Sequence, residues 1–82
     1  MFYQAGMSRF PSASRVAQYA AEAAAANDLH PDDVMGTART VSFVRARCQV
    51  WRRLYDDGFS MYAIGLAVGR HHTTVMHALR KG

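Results

Sequence analysis

SMYAIGLAVGRHHTTVMHALRK, residues 60–81, divides at Gly69 into two short segments, each with a helical pattern. Ser60 is a good N-cap for the apolar run MYAIGLAV, because its hydroxyl can accept a backbone N–H of the first turn. Beyond Gly69, Val75, Ala78 and Leu79 fall on one side of a second helix and leave Thr73, Met76, His77 and Arg80 on the other. Ile64, Gly65, Val68 and Gly69 supply an apolar residue, a small residue where two helices can cross, a second apolar residue and a turn glycine. Val75 and Ala78 follow as apolar anchors six and nine residues after that glycine. The pattern predicts two helices packed across a tight turn, a helix-turn-helix. Arg70 takes the position after the turn glycine, where an apolar residue is common.

Upstream the pattern stays helical. From about residue 40 to residue 57, Val41, Val44, Cys48, Trp51 and Tyr55 are spaced by three and four in alternation, which predicts a long helix with that stripe as its core face. Arg45, Gln49, Arg52, Arg53 and Asp56 then form a basic ridge on the opposite surface, and Gly58 ends the helix. Cys48 lies in the apolar stripe and reads as a small buried hydrophobe rather than a nucleophile. Residues 29–36 read as a short helix entered at Pro31, with Asp32 and Asp33 in the first turn, where the helix dipole favours negative charge. From Ser12 or Ser14 a further helix runs through Val16, Tyr19, Ala20 and Ala23 to Asn27, rich in alanine and so thin enough for close packing. Residues 1–11, with Phe2, Tyr3 and Phe10 in no period and Pro11 at the end, read as a flexible N-terminal arm. No segment alternates with a strand period. The expected fold is all-α, one small domain over residues 12–82 with about five helices and a helix-turn-helix at its end.

The chain's 82 residues leave room for one modest core. Half are hydrophobic and a fifth charged, a globular composition rather than a disordered one. The net charge is +4, and nine of the ten basic residues are arginine, whose planar fork suits phosphate and guanine edges. The charge is uneven. Residues 1–38 set Arg9 and Arg15 against Glu22, Asp28, Asp32 and Asp33. Residues 39–82 set Arg39, Arg45, Arg47, Arg52, Arg53, Arg70, Arg80 and Lys81 against only Asp56 and Asp57. A polyanion is therefore expected at the C-terminal half, with an ordinary solvated face as the alternative. A single cysteine excludes an internal disulfide, and the sequence carries neither a membrane-length apolar run nor the pattern of a signal peptide. The expected location is a reducing cytoplasm.

GRHHTTVMHALRK, residues 69–81, resembles the signature of the C-terminal DNA-binding domain of the DnaA family of bacterial replication initiators, in which an Arg-Asp-His-Thr-Thr-Val-hydrophobic-His-Ala run precedes a basic pair. SMYAIG is similar to the family's Ser-Leu-x-x-Ile-Gly, TVSFVRARCQV to its Arg-rich long helix, and NDLHPDDVMG to the short segment before it. The resemblance spans about residues 12–82 and is most specific over the last twenty. It implies double-stranded DNA binding at short boxes, with the second helix of the motif in the major groove and a basic loop before the long helix reaching the minor groove. His72, Thr73 and Thr74 match positions that contact bases or nearby backbone, Arg70 matches a basic position, and Arg39 is the candidate for the minor groove. Elementary chemistry agrees: helix N-termini favour phosphate, Thr methyls can touch thymine methyls, and Arg suits a narrow minor groove.

The sequence departs from the family in three places. His71 stands where the family has Asp, so a group that accepts from cytosine is replaced by one that can donate to guanine or phosphate, and a good N-cap is lost unless Thr73 takes over. The turn has one glycine before Arg70 instead of two. The family's final helix is expected to be missing beyond Gly82, as is its ATPase module, and no Walker-type loop occurs.

Rival readings are weaker. His72 and His77 have a spacing found in half of a zinc-finger ligand set, but only Cys48 could join them and a closed site needs four ligands, so no metal or other cofactor is expected. A Cys48/His hydrolase lacks an orienting group and an oxyanion hole, so no enzyme activity is expected. Asp32 and Asp33 are helix starters. The expected function is sequence-specific binding of double-stranded DNA by a nucleoid-associated transcription regulator, with Arg39, Arg45, Arg52, Arg53, Arg70, His71, His72, Thr73, Thr74, His77, Arg80 and Lys81 as its DNA-facing set. Such a small factor would need a separate protein to contact RNA polymerase or the replication initiator, and neither a membrane nor a small-molecule substrate is expected. The alternatives are a modulator of replication initiation that occupies the initiator's boxes, and a protein-interaction module that has lost DNA.

Overall fold

A computed structural model describes residues 10–81, and these form five helices with no strand among the described residues. They are α1 (Ala13–Ala26), α2 (Pro31–Met35), α3 (Val41–Asp56), α4 (Met61–Val68) and α5 (His72–Lys81). The arm expected over residues 1–11 lies outside the described residues except for Phe10, which is exposed, and Pro11, which is buried.

Each helix starts and stops for local reasons. Ser12 caps α1 by accepting from the Arg15 N–H at 3.1 Å, and Ser60 caps α4 by accepting from the Ala63 N–H at 3.1 Å. Pro31 stands at the first position of α2, with Asp32 and Asp33 in its first turn as expected. Three helices end alike, in a Schellman-type closure in which a residue with positive φ turns the chain back. After α1 that residue is Asp28 (φ 58°), and the Leu29 N–H returns to Ala24 O at 2.8 Å. After α3, Gly58 plays the part and the Phe59 N–H reaches Leu54 O at 3.3 Å; after α4, Gly69 does so and the Arg70 N–H reaches Gly65 O at 2.8 Å. Leu29 and Phe59 are thereby turned onto the core.

The core draws on every helix: Val16, Ala20 and Ala24 of α1, Val34 of α2, Ala46, Val50, Trp51 and Leu54 of α3, Ile64 of α4, and Val75 and Leu79 of α5. Helix α3 is its axis and touches all four others. The buried face of α3 differs from the expected one. Trp51 is buried, but Val41 is 72% exposed, Val44 40% and Tyr55 41%, while Cys48 is only half-buried. The true stripe runs Ala46, Arg47, Val50, Trp51, Leu54, rotated by about one residue from the expected stripe. The reason is Arg47, which is 5% exposed yet sits among apolar neighbours because its guanidinium donates to Val34 O (2.9 Å) and Asp33 O (3.1 Å) at the end of α2. A buried charge is tolerated only when so satisfied. No pattern of apolar residues alone would place an arginine on that face.

Helix α1 is also tied to α3 at the surface. Arg15 pairs with Asp57 at 3.0 Å, the Tyr19 hydroxyl donates to the same carboxylate, and Arg53 pairs with Glu22 while lying 3.8 Å over the Tyr19 ring. The Tyr19 hydroxyl bond, more than Arg15, holds the Asp57 carboxyl below its ordinary range, and Arg53 does the same to Glu22. No helix among the described residues is long and apolar enough to cross a membrane.

Candidate nucleic-acid interface

Helices α4 and α5 meet across a turn of residues 69–71. Gly69 adopts φ 73°, a left-handed conformation that costs other residues energy. Gly65 is needed for space: a Cβ there would come within 2.6 Å of Arg70 O and 3.2 Å of His72 N. Ile64 and Val75 are wholly buried, and Val68 and Ala78 are half-buried, so the apolar slots expected from the sequence face inward.

The start of α5 is built by His71. Its Nδ1 accepts the Thr73 N–H at 3.2 Å and lies 2.7 Å from Thr73 Oγ1, while its carbonyl accepts the Thr74 N–H at 3.0 Å. The histidine therefore replaces the cap that Asp would supply, and Thr73 does not take over. Because Nδ1 accepts, a neutral His71 carries its proton on Nε2. Its ring stacks on His72 (centroids 4.4 Å apart), and His72 meets Tyr62 edge-on at 6.1 Å.

With Val75 and Leu79 buried, α5 exposes His72, Thr74, His77 and Arg80. Thr73 and Met76, expected on the outer side, are half-buried. The side chain of Lys81 lies outside the described residues.

The arginines expected to act together divide into two sets. Arg39, in the loop between α2 and α3, Arg45 on α3 and Arg80 on α5 are exposed and, among the described residues, make no hydrogen bond or ion pair. The other three expected arginines have partners within the chain. Arg52 donates to Leu79 O at 2.8 Å, satisfying a carbonyl in the last turn of α5. Arg53 turns to Glu22 and Tyr19 of α1, away from the expected ridge. Arg70 donates to Gly36 O at 2.6 Å and lies 5.9 Å from the centroid of the Trp51 ring. Arg47, absent from the expected set, also has its partners within the chain and, unlike the exposed Arg52 and Arg53, is buried; burial followed by the charge of Arg70 lowers its pKa from the ordinary arginine value. Its place four residues before Trp51 puts both on one face, but the carbonyls that bury it belong to α2 and leave no signal along α3.

Among the described residues no three His, Cys, Asp or Glu side chains come together as a metal site requires. Two shallow grooves flank α3. One, of about 460 Å³, lies between α1 and α3 beside Tyr19 and Arg53, and one of about 230 Å³ lies between α3 and α5 beside Arg45 and Cys48. No protein-family model matches the chain, and no solved structure matches it at a significant level.

Proposed function

We propose that the chain is a sequence-specific double-stranded DNA-binding protein acting as a transcription regulator, with α4 and α5 as a helix-turn-helix and α5 in the major groove. The observation that carries this reading is the division of labour on α5: Val75 and Leu79 anchor it, and its free face offers His72, Thr74, His77 and Arg80, two imidazoles, a hydroxyl with a methyl, and a guanidinium. Such groups read base edges and phosphates. Arg39 and Arg45 add positive charge with no internal partner among the described residues, as a phosphate footprint requires. Arg53 leaves this footprint because Glu22 offsets its charge, whereas Arg52 and Arg70 donate to neutral carbonyls and add their charge to the field from positions fixed by the fold. The similarity of residues 69–81 to the DnaA signature supports the same reading and keeps a second use within it, occupation of initiator boxes to modulate replication.

The test is an anisotropy titration at physiological salt of one duplex carrying a DnaA-type box and one scrambled duplex. A preference of about 10³-fold for the box supports specific reading and favours the replication role. Tight but equal binding leaves DNA binding intact with a changed target, to be found by selection from random duplexes. No binding to either duplex overturns the proposal in favour of a protein-interaction module.

A further inference from the structure

Arg70 joins three elements. Its backbone N–H closes α4 on Gly65 O, its guanidinium donates to Gly36 O in the loop after α2, and that guanidinium lies above the Trp51 ring of α3. Arg47 works beside it on Asp33 O and Val34 O. Between them the two guanidiniums serve three carbonyls at the C-terminal end of α2, a helix of five residues that is too short to hold its own geometry. The space among Val34, Met35, Arg47, Trp51, Val68 and Arg70 is about 10 Å³, so the joint is closely packed.

The loop leaving this joint, residues 37–40, carries Arg39, and α5 begins two residues after Arg70. We propose that Arg70 is a positioning residue: it fixes the Arg39 loop against the N-terminus of α5, so that both elements engage one duplex together. The functional consequence rests on the DNA-binding reading above. The arrangement suits arginine, because its planar fork presents several N–H donors at fixed angles while its face lies over an indole, a geometry that the point charge of a lysine ammonium does not reproduce. Two binding elements held at fixed spacing act as one bivalent unit, whereas a loose loop must be ordered at each encounter.

The experiment uses the full chain with Arg70→Gln, alone and with Arg39→Ala. In the free protein, backbone ¹⁵N order parameters of residues 36–40 should drop from the rigid range to below about 0.6 in Arg70→Gln, while those of α1 stay rigid. On DNA, Arg39→Ala should weaken binding about tenfold in the unmodified chain and less than about twofold in the Arg70→Gln background, a coupling of the size neighbouring residues show. Unchanged order parameters overturn the proposal. So do equal tenfold losses in both backgrounds, which would make the two arginines act independently, or an Arg39→Ala variant that binds like the unmodified chain. Should the unmodified chain bind no duplex, the DNA reading fails and the order parameters alone decide the joint. If Arg70→Gln does not fold, Arg70→Lys, which keeps the charge without the fork, is read in the same way.

Discussion

His71 Nδ1 accepts the backbone N–H of Thr73 at 3.2 Å, so the residue that departs from the DnaA pattern is also the residue that starts α5. An imidazole caps the helix here where the pattern has Asp, itself a favourable N-cap residue, and a neutral ring keeps its Nε2–H as a donor. His71→Ala should therefore cost about 1 kcal/mol of stability, and His71→Asn should recover most of it, because Asn supplies the same cap. Urea denaturation of the three proteins decides the matter. Equal midpoints for the Ala and Asn variants would remove the cap from the argument.

Thr74 is the exposed threonine at the start of α5, whereas the Thr73 hydroxyl is engaged by His71. On the proposed DNA-binding reading, Thr74→Ala should change the preference among duplexes differing at one base step by about 1–3 kcal/mol. A competition series over single-base variants measures it. A loss of the same size on every duplex would assign Thr74 to the phosphate backbone instead.

The helices are legible in the sequence because their signals are local: Ser12, Ser60 and Pro31 as starts, Gly58 and Gly69 as stops, apolar spacing between them. The left-handed turn at Asp28 and the cap at His71 are not, since neither residue type is the usual choice there. The face of α3 escapes a reading by apolar spacing because Arg47 is buried by carbonyls of α2, a contact between distant parts of the chain that no window along α3 contains. The same cause blurs the site. Charge alone places Arg52, Arg53 and Arg70 with Arg39, Arg45 and Arg80, and only the packing of α1, α2 and α5 around α3 separates the arginines with partners inside the chain from those left exposed without one among the described residues.

That separation is measurable in salt. On the proposed DNA-binding reading, Arg45→Ala and Arg80→Ala should each lower the slope of log binding constant against log salt by about one, the share of a single neutralised phosphate. Arg53→Ala should leave the slope unchanged, because its charge is spent on Glu22. A slope that falls equally for Arg53→Ala would return Arg53 to the interface.

Asp57 joins Arg15 and Tyr19 of α1 to the end of α3, and the Tyr19 hydroxyl bond holds its carboxyl below the ordinary range. A lowered folded-state pKa contributes stability that is present above the unfolded value, about 3.9, and is lost as pH falls through the folded one. Asp57→Asn should thus lower Tm at neutral pH, and its gap from the unmodified chain should close on acidification toward about pH 3. Glu22, shifted the same way by Arg53, leaves part of the acid sensitivity in the variant. Thermal melts from about pH 7 down to about pH 3 check the sign, and a gap that stays constant throughout would show that the tether does not form in solution.

Gly65 marks the closest approach of α4 to the turn that launches α5. A methyl there meets backbone, Arg70 O at 2.6 Å and His72 N at 3.2 Å, and neither can swing aside as the end of a long side chain could. Gly65→Ala should gain helix propensity within α4 but lose more to this clash, for a net destabilisation of about 1–3 kcal/mol. Because the strained atoms belong to Arg70 and His72, relief moves the start of α5 away from α4 and pulls on the Arg70 bond to Gly36. On the proposed DNA-binding reading, the variant should therefore lose affinity for DNA beyond what its folded fraction explains. Denaturation midpoints and titrations below the unfolding range separate the two effects. Undiminished stability would mean that α4 and α5 cross farther apart than the 2.6 Å approach implies.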